Sequence, residues 1–169
     1  MPAALLALIG KASDAVQVLT SAFTTFRSAR AAWYMPLFLS YLAKAYADLG
    51  QFDDAWRCIG EAITRLEATK ERVWEAEVNR VAGEIALKSP EPDAAKAEAY
   101  FKSALAVARK QQAKSWELRA AMSMARLWRD QGKRKEARDL LAPVYGWFTE
   151  GFDTLDLKEA RALLDELGP

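Results

Sequence analysis

The sequence predicts an all-α fold, a stack of about four helical hairpins ended by a C-terminal capping helix. A turn residue recurs at a spacing of about 40 residues, and apolar residues follow helical spacing between the turns. The chain has 169 residues, of which 51% are hydrophobic and 28% charged. These values are typical of one folded domain with a continuous core.

The repeat begins with a turn residue at positions 10, 50, 92 and 132. Gly50 is followed 5, 9 and 12 residues later by a small, a large and a small side chain. A turn residue lets the backbone reverse direction, and small side chains let two helices approach closely. The four sets are Gly10 with Ala15, Leu19 and Ala22; Gly50 with Ala55, Ile59 and Ala62; Pro92 with Ala97, Phe101 and Ala104; and Gly132 with Ala137, Leu141 and Val144.

The predicted hairpins occupy residues 1–30, 31–70, 71–112 and 113–150 of a single domain that spans residues 1–169. The predicted helices are 11–27, 32–49, 52–69, 71–88, 92–112, 114–131, 134–149 and 154–167. The last of these places Leu157, Ala160, Leu164 and Leu167 on one stripe and acidic residues elsewhere. That pattern is typical of a helix that covers the exposed end of a stack.

The second repeat resembles the tetratricopeptide repeat through Leu42, Tyr46, Gly50, Phe52, Ala55, Ile59 and Ala62. The resemblance implies a right-handed α-α superhelix whose first helices line a concave groove. Residues 125–134 (ARLWRDQGKR) and 140–154 (LLAPVYGWFTEGFDT) are further similar to the C-terminal repeats of large bacterial signalling proteins. Those proteins carry a nucleotide cyclase and a P-loop ATPase in other domains. The resemblance therefore implies a regulatory interaction module and no enzymatic activity here.

The sequence lacks the residue types and motifs that catalysis or cofactor binding usually needs. The chain has no histidine, so the commonest general base and metal ligand is missing, and Cys58 is the only cysteine. Gly10-Lys11 lacks the rest of a P-loop. We expect no catalytic, cofactor or metal site, a passive thiol at Cys58, and solvated carboxylates at Glu75 and Glu77.

The resemblance places the candidate groove on the first helices of the hairpins. The candidate partner-binding residues are Lys44, Arg80, Glu84, Arg119, Met122, Arg126 and Arg129. From Arg109 to Arg138 ten basic side chains stand against three acidic ones, a net charge of +7. This charge predicts a protein or peptide partner that is acidic, while pairing with the acidic final helix is the alternative.

Two other functions are consistent with the pattern. A pocket closed by Tyr41, Trp74 and Met122 would indicate a small-molecule or peptide sensor. Alternatively, the apolar end with Leu5, Leu6 and Ile9 would form a homodimer interface because its hairpin lacks most of one helix.

Charge, apolar segment length and the single cysteine predict the environment of the chain. The formal charge of +1 and the absence of a recognition motif argue against nucleic acid, and no segment is long and apolar enough for a membrane. The single cysteine favours the cytoplasm.

Trp56, Trp128 and Trp147 are expected to pack in the core, and Trp33 and Trp116 to be partly exposed.

Overall fold

The computed structural model describes residues 12–26, 32–70 and 72–168. Within these ranges the chain forms helices and turns, without a β-strand. The helices are α1 (Ala12–Phe26), α2 (Met35–Asp48), α3 (Phe52–Thr69), α4 (Glu75–Lys88), α5 (Ala94–Lys110), α6 (Lys114–Asp130), α7 (Arg134–Tyr145) and α8 (Leu155–Leu167). A 3-10 turn at Ala32–Tyr34 precedes α2. The all-α repeat architecture predicted from the sequence is confirmed.

The hairpin turns repeat the same backbone geometry where glycine recurs. Gly50 and Gly132 have φ of +77° and +79°, a conformation that glycine adopts without the strain that a side chain would add. The next residue donates its N–H to a carbonyl five residues earlier, from Gln51 to Tyr46 at 2.9 Å and from Lys133 to Trp128 at 2.8 Å. These bonds end α2 and α6 and begin α3 and α7.

Neighbouring helices pack as successive antiparallel hairpins. The pairs α2–α3, α4–α5 and α6–α7 form the hairpins, and α2 also contacts α4, α4 contacts α6, and α6 contacts α8. The first helices therefore form one row, α2, α4, α6 and α8, and α8 occupies the place of a further first helix. Its buried Leu157, Leu163 and Leu167 pack on the core that α6 and α7 share.

The small residues of the repeat are the most deeply buried part of the core. Ala15, Ala55, Ala97 and Ala137 each have no exposed surface, as do Phe101 and Leu141. Gly83 in α4 lies directly against the ring of Phe101 from α5. Close contact between helices of one hairpin is thus set by alanine and glycine on facing surfaces.

Two predicted boundaries differ from the structure by four residues. Helix α4 begins at Glu75 rather than 71, because Lys70 adopts φ of +57° and residues 72–75 form a turn with a bond from Glu75 N–H to the Arg72 carbonyl. Helix α7 ends at Tyr145 rather than 149, because Gly146 is the C-cap residue and the N–H groups of Trp147 and Phe148 bond to carbonyls three residues earlier.

Candidate functional site

The groove between the first helices brings six of the seven predicted residues into one cavity of about 420 Å³. The residues come from α2, α4 and α6, and the far wall is formed by the start of α8 and the residue before it. The lining combines cations, carboxylates and a small apolar area from Met122 and Leu155. The lining residues are Lys44, Arg80, Glu84, Arg119, Met122, Arg126, Thr154, Leu155, Asp156 and Glu159.

A buried ion-pair network lies beneath this cavity. Arg80 donates from Nε and Nη2 to the two carboxylate oxygens of Glu77, at 2.7 and 2.8 Å. Its Nη1 also donates to Glu84. Arg119 from α6 approaches the same Glu77 carboxylate at 3.0 Å, so Glu77 joins two arginines from neighbouring hairpins. The network fixes both guanidinium groups at the floor of the groove.

The expectation that Glu77 is solvated was wrong, since only 1% of the residue is exposed. Burial by itself would raise the pKa of Glu77, but the guanidinium of Arg80 and then that of Arg119 outweigh it and hold this pKa below its usual value. Burial, followed by the charge of Glu77, raises the pKa of the Tyr41 hydroxyl next to the network. Glu77 is therefore a charged carboxylate whose role is to position two arginines.

The final helix supplies carboxylates to the basic half of the groove. Arg126 Nη2 lies 2.7 Å from a carboxylate oxygen of Glu159, and Arg129 Nη1 lies 2.9 Å from Glu166. Arg134 and Arg138 donate to backbone carbonyls at the end of the same helix. The alternative left open by the sequence, pairing between the basic stretch and the acidic end, is present in the structure.

The seventh predicted residue, Arg129, lies apart from the cavity lining. It pairs with Asp130 at 2.8 Å and with Glu166, so its charge is used within the chain. At the other end of the groove, Lys44 pairs with Asp48 at 3.1 Å. The groove as a whole is therefore of mixed charge rather than basic.

The described residues do not show the features that were predicted for a sensor or for a homodimer. Met122 lines the cavity, but Tyr41 is buried beside the ion-pair network and Trp74 packs in an aromatic cluster at the edge of the stack. The cavity that Met122 lines includes neither Tyr41 nor Trp74. Leu5, Leu6 and Ile9, the predicted self-association end, lie outside the described residues.

Reactive groups are few in the described ranges. Burial raises the pKa of the Cys58 thiol to about 11, which keeps it protonated and unreactive at neutral pH. No cluster of three or more potential metal ligands occurs in residues 12–26, 32–70 and 72–168. In the same residues, no helix combines the length and the apolar character needed to cross a membrane.

The tryptophans correct one prediction about packing. Trp147 was expected in the core, yet 57% of it is exposed, because α7 ends before it. Trp33 and Trp116 are both partly exposed, as predicted. The ring of Trp116 lies edge to face against Trp74 and under the guanidinium of Arg119. Trp56 and Trp128 are half-buried against the core.

Comparisons with known proteins support the fold. Neither a scan against protein-family models nor a search of the curated proteins finds a match. Among solved structures, the chain is similar to nearly identical TPR-like repeats of a protein from Podosopora anserina that is described as a kinesin light chain. The TM-score is 0.65 at 17% sequence identity, over 98% of this chain and 81% of the other. At this identity the similarity shows a TPR-like helical repeat fold.

Proposed function

We propose that the chain is a protein-interaction module that binds a segment of a partner protein in the groove formed by α2, α4, α6 and α8. The observation that carries the proposal is the cavity of about 420 Å³ lined by side chains from all four first helices or their lead-in. A TPR-like repeat presents such a groove to extended or helical segments. We further propose, from the resemblance of its C-terminal half, a regulatory role in a bacterial signalling protein.

The charges of the groove favour a partner segment that carries both signs. Lys44 marks the α2 end, while Asp156 and Glu159 mark the α8 end, with Arg119 and Arg126 between them. Carboxylates of α8 already face the cations that suggested a purely acidic partner. An acidic group near Lys44 and a basic group near Asp156 would match this arrangement.

The test is affinity capture with quantitative mass spectrometry, using the wild-type chain and two double variants. We expect Lys44→Glu with Arg126→Glu to reduce capture of groove partners by about tenfold or more, since reversed charges repel the matching groups. The matched control is Arg57→Glu with Arg65→Glu on α3, which makes the same charge change away from the cavity.

Both double variants should show the helical circular dichroism of the wild type, so that loss of partners reports the groove and not unfolding. Partners that are lost with the α2/α6 variant and retained with the α3 variant would support the proposal. Equal capture by both variants would show that the groove is not the binding surface.

A further inference from the structure

A second surface runs along the edge of the stack where the first helices begin, independent of the groove. It contains four tryptophans: Trp33 before α2, Trp74 before α4, Trp116 in the first turn of α6, and Trp147 in the segment that leads to α8. We name this set the tryptophan row. The first three are 41 and 42 residues apart, which matches the period of the repeat. The row is therefore a repeated feature of successive hairpins.

The first three rings of the row contact one another across the hairpins. The ring centroids of Trp33 and Trp74 are 5.7 Å apart and stacked, and those of Trp74 and Trp116 are 6.1 Å apart, edge to face. The indole N–H of Trp74 donates to the carbonyl of Trp33 at 2.8 Å. Lys114, in the same turn as Trp116, lies 5.8 Å from the ring centre of Trp147 and continues the row to the end of the stack.

Although the hairpins contact one another at the row, large apolar side chains there remain exposed to solvent. Trp33 is 48% exposed and Val73, beside Trp74, is 47% exposed. Phe152, in the segment that leads to α8, is also 47% exposed. In the described residues, most of the large exposed hydrophobic side chains lie in this edge. Several large apolar side chains exposed along one edge are typical of an interaction site.

Beside Trp74 and Trp116, the ion pairs of the edge present their cations outward. Arg72 pairs with Glu75, and Arg109 and Lys114 pair with Glu117. In each pair the cation is the more exposed partner, and Glu117 is buried. A ligand that approaches the edge thus meets indole rings and guanidinium or ammonium groups before any carboxylate of these pairs.

We propose that the tryptophan row binds an extended, proline-containing acidic segment of a partner protein. Flat indole surfaces bind proline rings, and a polyproline II segment loses little conformational entropy when it binds. Acidic residues between the prolines match the exposed cations of the edge. The surface is distinct from the groove, so the proposal does not depend on the function proposed for the groove.

The test is an NMR titration of the full chain that follows the indole N–H signals of its six tryptophans. The probe is a twelve-residue peptide of alternating proline and glutamate. We expect the signals of Trp33, Trp74, Trp116 and Trp147 to shift, while those of Trp56 and Trp128, which lie elsewhere, stay in place. Replacing Trp33 and Trp147 by alanine should weaken binding about tenfold, as expected for exposed anchoring indoles.

Three matched probes make the outcome decisive. A proline–lysine peptide and a glycine–glutamate peptide of equal length should bind at least about tenfold more weakly, since each lacks one half of the recognition. The proposal is overturned if either binds equally well, or if the proline–glutamate peptide leaves the row signals unshifted. It is also overturned if a twelve-nucleotide oligothymidylate shifts the same signals more strongly, because the row would then be a single-stranded nucleic acid site.

A variant that removes a groove charge separates the two surfaces. Arg126→Glu lies in the cavity lining and should leave the affinity of the proline–glutamate peptide unchanged within about twofold. A larger loss would show that the peptide binds the groove, which would overturn the assignment to the row. Circular dichroism of each variant confirms that the helical fold is retained.

Discussion

Gly83 in α4 lies so close to Phe101 in α5 that a side-chain atom added there would overlap the ring. A Cβ at this position would lie 2.4 Å from Cε1 and 2.7 Å from Cδ1 of Phe101, a ring with no exposed surface. We expect Gly83→Ala to lower the free energy of unfolding by about 1–3 kcal/mol, because Phe101 and its neighbours must shift. Urea unfolding followed by circular dichroism measures the change.

Gly60 provides the matched control for this prediction. It lies in the interior of α3, where a Cβ would meet nothing within 4 Å. Gly60→Ala should therefore raise the free energy of unfolding by about 0.5–1 kcal/mol, since alanine favours the helix over the unfolded chain. Similar stability changes at both glycines would contradict the close contact with Phe101.

Glu77 shows why the sequence could predict the groove residues but not their support. The repeat shows which helix comes first in each hairpin, and the resemblance to the tetratricopeptide repeat then assigned Lys44, Arg80 and Arg126 to the groove. Glu77 looks like any acidic residue in a first helical turn. Its buried charge is compensated in part by Arg119 of the next hairpin, a contact across 42 residues that no local pattern contains.

Helices α4 and α6 are joined by this network, and removing its carboxylate should affect both. Glu77→Gln leaves Arg80 and Arg119 without their shared charge partner, so we expect a loss of about 3–5 kcal/mol in unfolding free energy. A double-mutant cycle with Glu77→Leu and Arg80→Met tests the coupling. The double variant should cost less than the sum of the two single changes, whereas additive costs would contradict a shared network.

The pH dependence of the same element follows from the direction of one pKa shift. The pKa of Glu77 is lower in the folded chain than in the unfolded chain, so its stabilising effect is complete above the unfolded value. That stabilisation is lost as the pH falls through the folded pKa. Urea midpoints measured below pH 5 should fall more steeply for the wild type than for Glu77→Gln, and parallel curves would contradict the shift.

The elements themselves were predicted well where turn residues mark them. The range predicted for α3, 52–69, coincides with the structure, and α8 differs by one residue. The end of α7 was wrong because an apolar run through Trp147 and Phe148 continues after the helix stops. Those side chains lie in the lead-in to α8, where their spacing still resembles a helical stripe.

Across the whole molecule, stability should vary along the stack because each hairpin contacts mainly its neighbours. Among the described helices, α1 packs chiefly against α2, whereas α4, α5 and α6 have neighbours on both sides. We expect amide protons of α1 to exchange at least about tenfold faster than those of α4–α6, with α8 between them. Hydrogen exchange with mass spectrometry measures this, and uniform protection from α1 to α8 would show a single cooperative unit.

The contact between Trp33 and Trp74 also gives the stack an optical signal of its own. Two indoles 5.7 Å apart couple their electronic transitions, and the sign and strength of the resulting circular dichroism depend on the angle between the rings. One indole precedes α2 and the other precedes α4, so that angle changes when the first helices rotate relative to each other. The near-ultraviolet spectrum can therefore report the superhelical twist of the chain without any attached label.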